Sequence, residues 1–239
     1  MSGTTGNVAQ GNFIGTDKTG LVALGNSSGG VSFWNFASGN TLGGGVAGAG
    51  NVISANAGSG VQVAYGSSNN KVQGNIIGLG VDGSTVLGNG NAGVYLYDGG
   101  AAGAVSGNLI GTDSDGSNDA GERNVISANQ NGILLDTVAI TANTVAGNYI
   151  GTDSTGLLDR GNSFDGIRIQ AGSSNNTVGG SVAAARNIIA GNGAAAERVA
   201  QVTSQRSDVG AGRHPRAQSD LYRRRARRPV AAGIDKAVF

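Results

Sequence analysis

The chain contains no cysteine, so neither a disulfide frame nor a thiolate metal site can organise it. Proline is nearly missing, with two among 239 residues, and aromatic residues make up only 5%. A chain so poor in large side chains cannot assemble a thick globular core. Long apolar runs are missing too: no segment approaches the roughly 18 apolar residues of a membrane span. Residues 1–6 do not form a signal peptide. There is no Gly-x-Ser-x-Gly elbow, no phosphate loop and no Ca²⁺-binding GGxGxD core, and the one histidine is His214.

What is present is glycine, 45 residues, nearly three times the usual share of about 7%. Glycine does not fall at every third position, which excludes collagen. Val and Ile recur at fixed places among the glycines, which argues against simple disorder. A thin, repetitive core with many tight corners remains.

Three elements recur. Gly-Asn-apolar-Ile-Gly occurs at Gly11-Asn12-Phe13-Ile14-Gly15, Gly74-Asn75-Ile76-Ile77-Gly78, Gly107-Asn108-Leu109-Ile110-Gly111 and Gly147-Asn148-Tyr149-Ile150-Gly151. Asn-(Val/Ile)-Ile begins at Asn51, Asn124 and Asn187. Gly-apolar-x-apolar begins at Gly30, Gly60, Gly93, Gly132 and Gly166. In this last element the columns Val31/Val61/Val94/Ile133/Ile167 and Phe33/Val63/Leu96/Leu135/Ile169 are apolar, whereas Ser32, Gln62, Tyr95, Leu134 and Arg168 between them follow no rule. Period two with one invariant face is a strand buried on one side. Strands this short are unstable alone, and stacking successive copies lets each pair with the next and turns the apolar columns into one core. The turns need positive φ, where Gly and Asn are cheapest, and Asn can form amide ladders between rungs. At about 4.8 Å per rung, five or six rungs make a rod about 25 Å long. The expected fold is all-β, a right-handed parallel β-helix over residues 1–193 with no substantial helix.

Together these residues resemble the parallel β-helix repeat superfamily, the right-handed solenoids built from pectate-lyase-like coils. The alternation of GNxIGTDxxG, RNVISxN and GVxI over residues 6–193 is similar to repeat arrays of bacterial secreted or cell-surface proteins. The resemblance implies three sides, formed by GVxI, by the NTV or KVQ segment, and by NxI. It also implies a structural or adhesive segment of a longer secreted or cell-surface chain, its export signal upstream and its partner a polysaccharide or cell-surface glycan. The alternative it carries is a polysaccharide lyase or glycoside hydrolase. One irregularity stands out: residues 108–129 run one loop type straight into the next element, as if a rung had been trimmed.

Asp17, Asp113 and Asp153 recur in the Thr-Asp loop, and Asp82 is a displaced copy. Carboxylates on successive turns could hold Ca²⁺, the one cofactor considered, and no other metal site is expected. Turn chemistry is the favoured role, because the residue recurs with the repeat whereas a catalytic set is needed once. Asp136, Asp159 and Asp165 could be argued into a hydrolase pair, and Arg168 or Arg160 into a lyase base. Arg123 and Arg186 sit at matching positions before Asn-(Val/Ile)-Ile and are read as structural, so no catalytic residue is assigned. The ligand-binding candidates are Trp34, Tyr95 and Tyr97, which strand alternation turns outward and which suit half-wet contacts with sugar rings.

After Gly193 the pattern stops. Residues 1–196 carry six Lys/Arg against eleven Asp/Glu, a balance of −5, and residues 197–239 carry ten against four, a balance of +6. Residues 194–239 hold both prolines, no Asn and the run Arg223-Arg224-Arg225-Ala226-Arg227-Arg228. A basic run can bind nucleic acid, but the break in mid-rung favours a frame-shifted segment, then a disordered natural tail. Nucleic acid is therefore not expected as a partner.

Overall fold

The computed structural model describes residues 3–100 and 103–193. They form a right-handed parallel β-helix in which every strand pairs parallel with its equivalents one turn away. The first side stacks Val8–Ala9, Thr41–Gly43, Lys71–Gln73, Leu109–Gly111, Thr144–Ala146 and Thr177–Val178. The second stacks Phe13–Ile14, Val52–Ile53, Ile76–Ile77, Val125–Ile126, Tyr149–Ile150 and Ile188–Ile189. The third stacks Val31–Phe33, Val61–Ala64, Ala92–Tyr97, Asn131–Asp136 and Ile167–Gln170. A three-residue 3₁₀ turn, Ala183–Ala185, is the sole helical element among the described residues. The basic segment 194–239 lies outside them.

The apolar columns expected from the period-two pattern are the core. Val61, Val63, Val94, Leu96, Ile133 and Leu135 are fully buried, and Val31 and Ile169, on the outermost third-side strands, are partly covered. Ile53, Ile77, Ile126 and Ile150 fill the core from the second side, and Leu42, Val72, Ile110 and Val145 from the first. Each fully buried aliphatic side chain contributes about 1.5–3 kcal/mol.

Three asparagine ladders run through the corners from rung to rung. They run Asn7–Asn40–Asn70–Asn108–Asn143–Asn176, Asn12–Asn51–Asn75–Asn124–Asn148–Asn187 and Asn26–Asn56–Asn89–Asn129–Asn162–Asn192. At each step an Nδ2 donates to the Oδ1 of the next rung at 2.7–3.3 Å, and the same Oδ1 accepts the backbone N–H of the first residue. Asparagine carries a donor and an acceptor on one short side chain, so a single residue per corner closes the amide chain from rung to rung.

The structure resolves the irregularity at residues 108–129 differently from the trimmed rung expected. Gly-Asn-apolar-Ile and Asn-(Val/Ile)-Ile alternate in one stack, the second side, where Val125 pairs with both Ile76 and Tyr149. Leu109–Gly111 departs from its sequence relatives and lies on the first side, between Lys71 and Thr144. No rung is lost. The loop is simply moved one corner back, because Asn108 enters the first ladder while Asn12, Asn75 and Asn148 occupy the second. Turns one, three and five thus carry their long loop between the second and third sides, whereas turns two and four carry it between the first and second.

A narrow fourth stack precedes the first side. Thr5, Ser38, Ser68 and Ser106 are bridged in sequence, and Ser106 pairs with Thr141, which bridges Ser174. Each lies two residues before a ladder asparagine, so the corner reads (Ser/Thr)-x-Asn in all six turns.

Candidate functional site

The outer face of the third side holds the binding candidates. Ser32, Gln62, Tyr95, Leu134 and Arg168 stand in one register, and Ala64, Tyr97, Asp136 and Gln170 in the next outward one. Trp34 follows Phe33 at the end of its strand and is 45% exposed. The structure brings Trp34, Tyr95 and Tyr97 together and adds Tyr65. Trp34 meets Tyr65 edge-on with centroids 5.5 Å apart, Tyr65 meets Tyr97 at 6.1 Å, and Tyr95 stacks on Tyr97 at 4.6 Å. Ala64, in register with Tyr97, is fully buried. Tyr65 escaped the strand-alternation argument because it lies beyond its strand at φ +54°. The available signal was an aromatic one residue past the end of the Val61–Ala64 strand.

Of the rule-free column, Leu134 is the exception to exposure: it points outward in register with Tyr95 and Arg168 yet is only 8% exposed. The Tyr95 hydroxyl lies 3.2 Å from Asp136 Oδ2. Burial, reinforced by the charge of Asp136 and more weakly by Asp98, pushes the Tyr95 phenol up to about 12. Burial likewise pushes Tyr97 up. Both phenols therefore stay neutral across ordinary pH; Tyr95 donates its one proton to Asp136, which leaves the Tyr97 hydroxyl to donate to a ligand oxygen.

The catalytic candidates do not converge. Asp165 lies opposite Asn131, because Ile167 pairs with Ile133, whereas Asp136 lies five residues further along that strand. At about 3.3 Å per residue the two backbones are about 16 Å apart along the strand, beyond the roughly 5–9.5 Å of glycosidase carboxyl pairs. Arg168 lies 3.7 Å from Asp165. Arg160 is tied down, with Nε donating to the Ser84 carbonyl at 2.7 Å and a terminal nitrogen to Ser84 Oγ at 2.9 Å. Asp159 accepts the Gly161 N–H within its own corner. Arg123 donates to the Gly147 carbonyl and covers the Tyr149 ring at 4.1 Å, which is a packing role.

The Thr-Asp loops are turn chemistry. Asp17 accepts from the Thr19 hydroxyl and from the N–H groups of Thr19 and Val22, and these bonds hold its carboxyl below the ordinary value. Asp82 does the same with Thr85 and Ser84. For Asp153 desolvation opposes the shift, but bonds from Leu158, Thr155 and Leu157 lower it on balance. Asp113 is not their equivalent, as its sequence suggested, because its loop occupies the other corner. Nor do Asp17 and Asp153 approach each other: they stand on turns one and five, about 19 Å apart along the rod at the rung spacing. A Ca²⁺ site shared by Asp17, Asp113 and Asp153 is not formed.

Asp113 instead gathers with Asp119 and Glu122, with ligand atoms within 4.8 Å of one another. Protein donors already occupy this group: Lys71 Nζ lies 3.0 Å from Asp113, the Asp113 N–H donates to Glu122, and the Thr112 hydroxyl donates to Asp119. That arrangement closes the loop. A concavity of about 420 Å³ on the second side, walled by Phe13, Val46, Val52, Ile76 and Val81, is lined by no ionisable residue.

Comparison with protein-family models, with curated proteins and with solved structures found no match. The class that fold and site define is thus a right-handed parallel β-helix bearing an aromatic cluster on one outer face.

Proposed function

We propose that the chain is a structural or adhesive segment of a bacterial secreted or cell-surface protein, related to the pectate-lyase-like β-helices, that binds glycan through the third side. The observation that carries this reading is the aromatic cluster of Trp34, Tyr65, Tyr97 and Tyr95. The core and corners repeat one chemistry in turn after turn, whereas this aromatic cluster stands outside that repeat. Amphipathic rings on a rigid sheet suit the apolar faces and hydroxyls of sugars. The lyase or hydrolase reading finds no comparable support, since Asp136 and Asp165 are far apart and Arg168 and Arg160 have partners of their own.

The test is a panel of uronate, neutral and amino polysaccharides, assayed for binding, for unsaturated product and for new reducing ends, with and without Ca²⁺. Binding without turnover is expected. Trp34→Ala or Tyr97→Ala should weaken it by about 1–2 kcal/mol, roughly fivefold to thirtyfold. Turnover that disappears on Asp136→Asn or Arg168→Ala would overturn the reading in favour of an enzyme.

A further inference from the structure

The aromatic cluster is not a flat platform. The Trp34 and Tyr65 planes meet at 65° and those of Tyr65 and Tyr97 at 70°, so the rings form steep walls. The Tyr65 ring is held close against the chain at Gly99, where an added Cβ would fall 2.5 Å from a ring atom. Two carboxylates belong to the same surface: Asp136, bonded to the Tyr95 hydroxyl, and Asp98, directly after Tyr97. Asp98 accepts the Gly100 N–H with Oδ1. Arg168 is the one cation in a third-side strand, two rungs from Tyr95, and Asp165 is beside it. With Asp98, Asp136 and Asp165 against Arg168, the face carries three negative charges to one positive.

Aromatic faces are electron-rich and attract cations, most strongly where water is excluded. Carboxylates at the margin add a Coulombic pull on an ammonium group and repel a uronate. Resting on the glycan-binding reading above, we infer that Trp34, Tyr65 and Tyr97, with Asp98 and Asp136, select a polysaccharide bearing free ammonium groups, a deacetylated amino-sugar polymer, and reject polyuronates.

The experiment uses the full chain and calorimetric titration with four probes: a glucosamine hexamer, its N-acetylated counterpart, an oligogalacturonate of equal length, and hexalysine. The expected order places the glucosamine hexamer about tenfold tighter than the N-acetylated one, corresponding to about 1.4 kcal/mol. The oligogalacturonate should be weakest, and the gaps should narrow as salt rises from about 0.05 M to about 0.5 M. Asp98→Asn with Asp136→Asn should abolish the preference, closing the roughly tenfold gap between the glucosamine hexamer and the N-acetylated one. Asparagine can still accept the Gly100 and Tyr95 bonds, so the fold should be kept, as circular dichroism would verify. Asp115→Asn, which removes one carboxylate from the loop between the first and second sides, should do nothing. Equal or tighter binding of the oligogalacturonate, or indifference to the double variant, overturns this inference while leaving the glycan reading intact. If no saccharide of any charge binds, or only hexalysine does, the glycan reading itself falls and the inference with it.

Discussion

Replacing Asn124 by Ala should be among the most damaging single substitutions in the rod. Asn124 is fully buried at the middle of the second ladder. Its Oδ1 accepts the Asn75 N–H at 2.9 Å and Asn75 Nδ2 at 3.0 Å, and its Nδ2 donates to the Val72 carbonyl at 2.8 Å and to Asn148 Oδ1 at 2.9 Å. Four bonds at about 1 kcal/mol net each are lost, and the Asn75 N–H becomes a buried orphan, so the cost should be about 3–5 kcal/mol. Asn12→Ala removes the corresponding group at the exposed end of the same ladder, where water can replace it, and should cost about 1 kcal/mol or less. Thermal melts of the full chain should therefore fall by about 10 °C or more for Asn124→Ala and by only a few degrees for Asn12→Ala. Asn124→Asp sharpens the test. It sets a carboxylate against the Val72 carbonyl and Asn148 Oδ1, raising its folded pKa above the unfolded value of about 3.9. Since the folded state then prefers the protonated form, this variant should be most stable below that value and lose stability as pH rises through its folded pKa. Equal losses at Asn124 and Asn12, or a pH-independent Asn124→Asp, would refute the claim that the ladders hold the corners.

A second prediction separates space from backbone strain at the corner between the second and third sides. Gly88→Ala would place a Cβ 1.9 Å from the Ala128 carbonyl oxygen and should cost about 3 kcal/mol. Ala128→Gly should instead stabilise by about 0.5–1 kcal/mol, because Ala128 sits at φ +61°, a conformation that costs about 1–2 kcal/mol, only partly offset by glycine's greater unfolded entropy. Urea midpoints of the two variants should move in opposite directions. Third, an ultraviolet tyrosine titration, differenced against Tyr95→Phe, should find Tyr95 ionising near 12, and Asp136→Asn should lower it. Because the raised value favours the neutral phenol in the folded state, that contribution to stability is complete below about 10 and is lost as pH rises through about 12. Ionisation of Tyr95 at the value of free tyrosine would contradict the burial described.

The sequence alone determined the coil. Ile133, Leu134 and Leu135 alternate inward, outward and inward because period two is a property of the extended backbone itself, and no tertiary information is needed to read it. The parallel stacking follows from strands too short to exist singly. The occupants of a given stack were decided in three dimensions. Leu109-Ile110 and Tyr149-Ile150 share one local motif, yet they lie on different sides, because the ladder that Asn108 joins is set by which asparagine waits one rung away, at Asn70 and Asn143. The same holds for the site. Trp34, Tyr95 and Tyr97 could be turned outward from alternation, but Tyr65 meets Trp34 and Tyr97 only through the positive-φ turn just past its strand. Asp113, which reads as another Thr-Asp turn, became the partner of Lys71, Asp119 and Glu122 once its loop moved to another corner. Local pattern is encoded within a strand and its turn, whereas each ladder step joins residues 24 to 49 positions apart, and only the completed rung sets their distance.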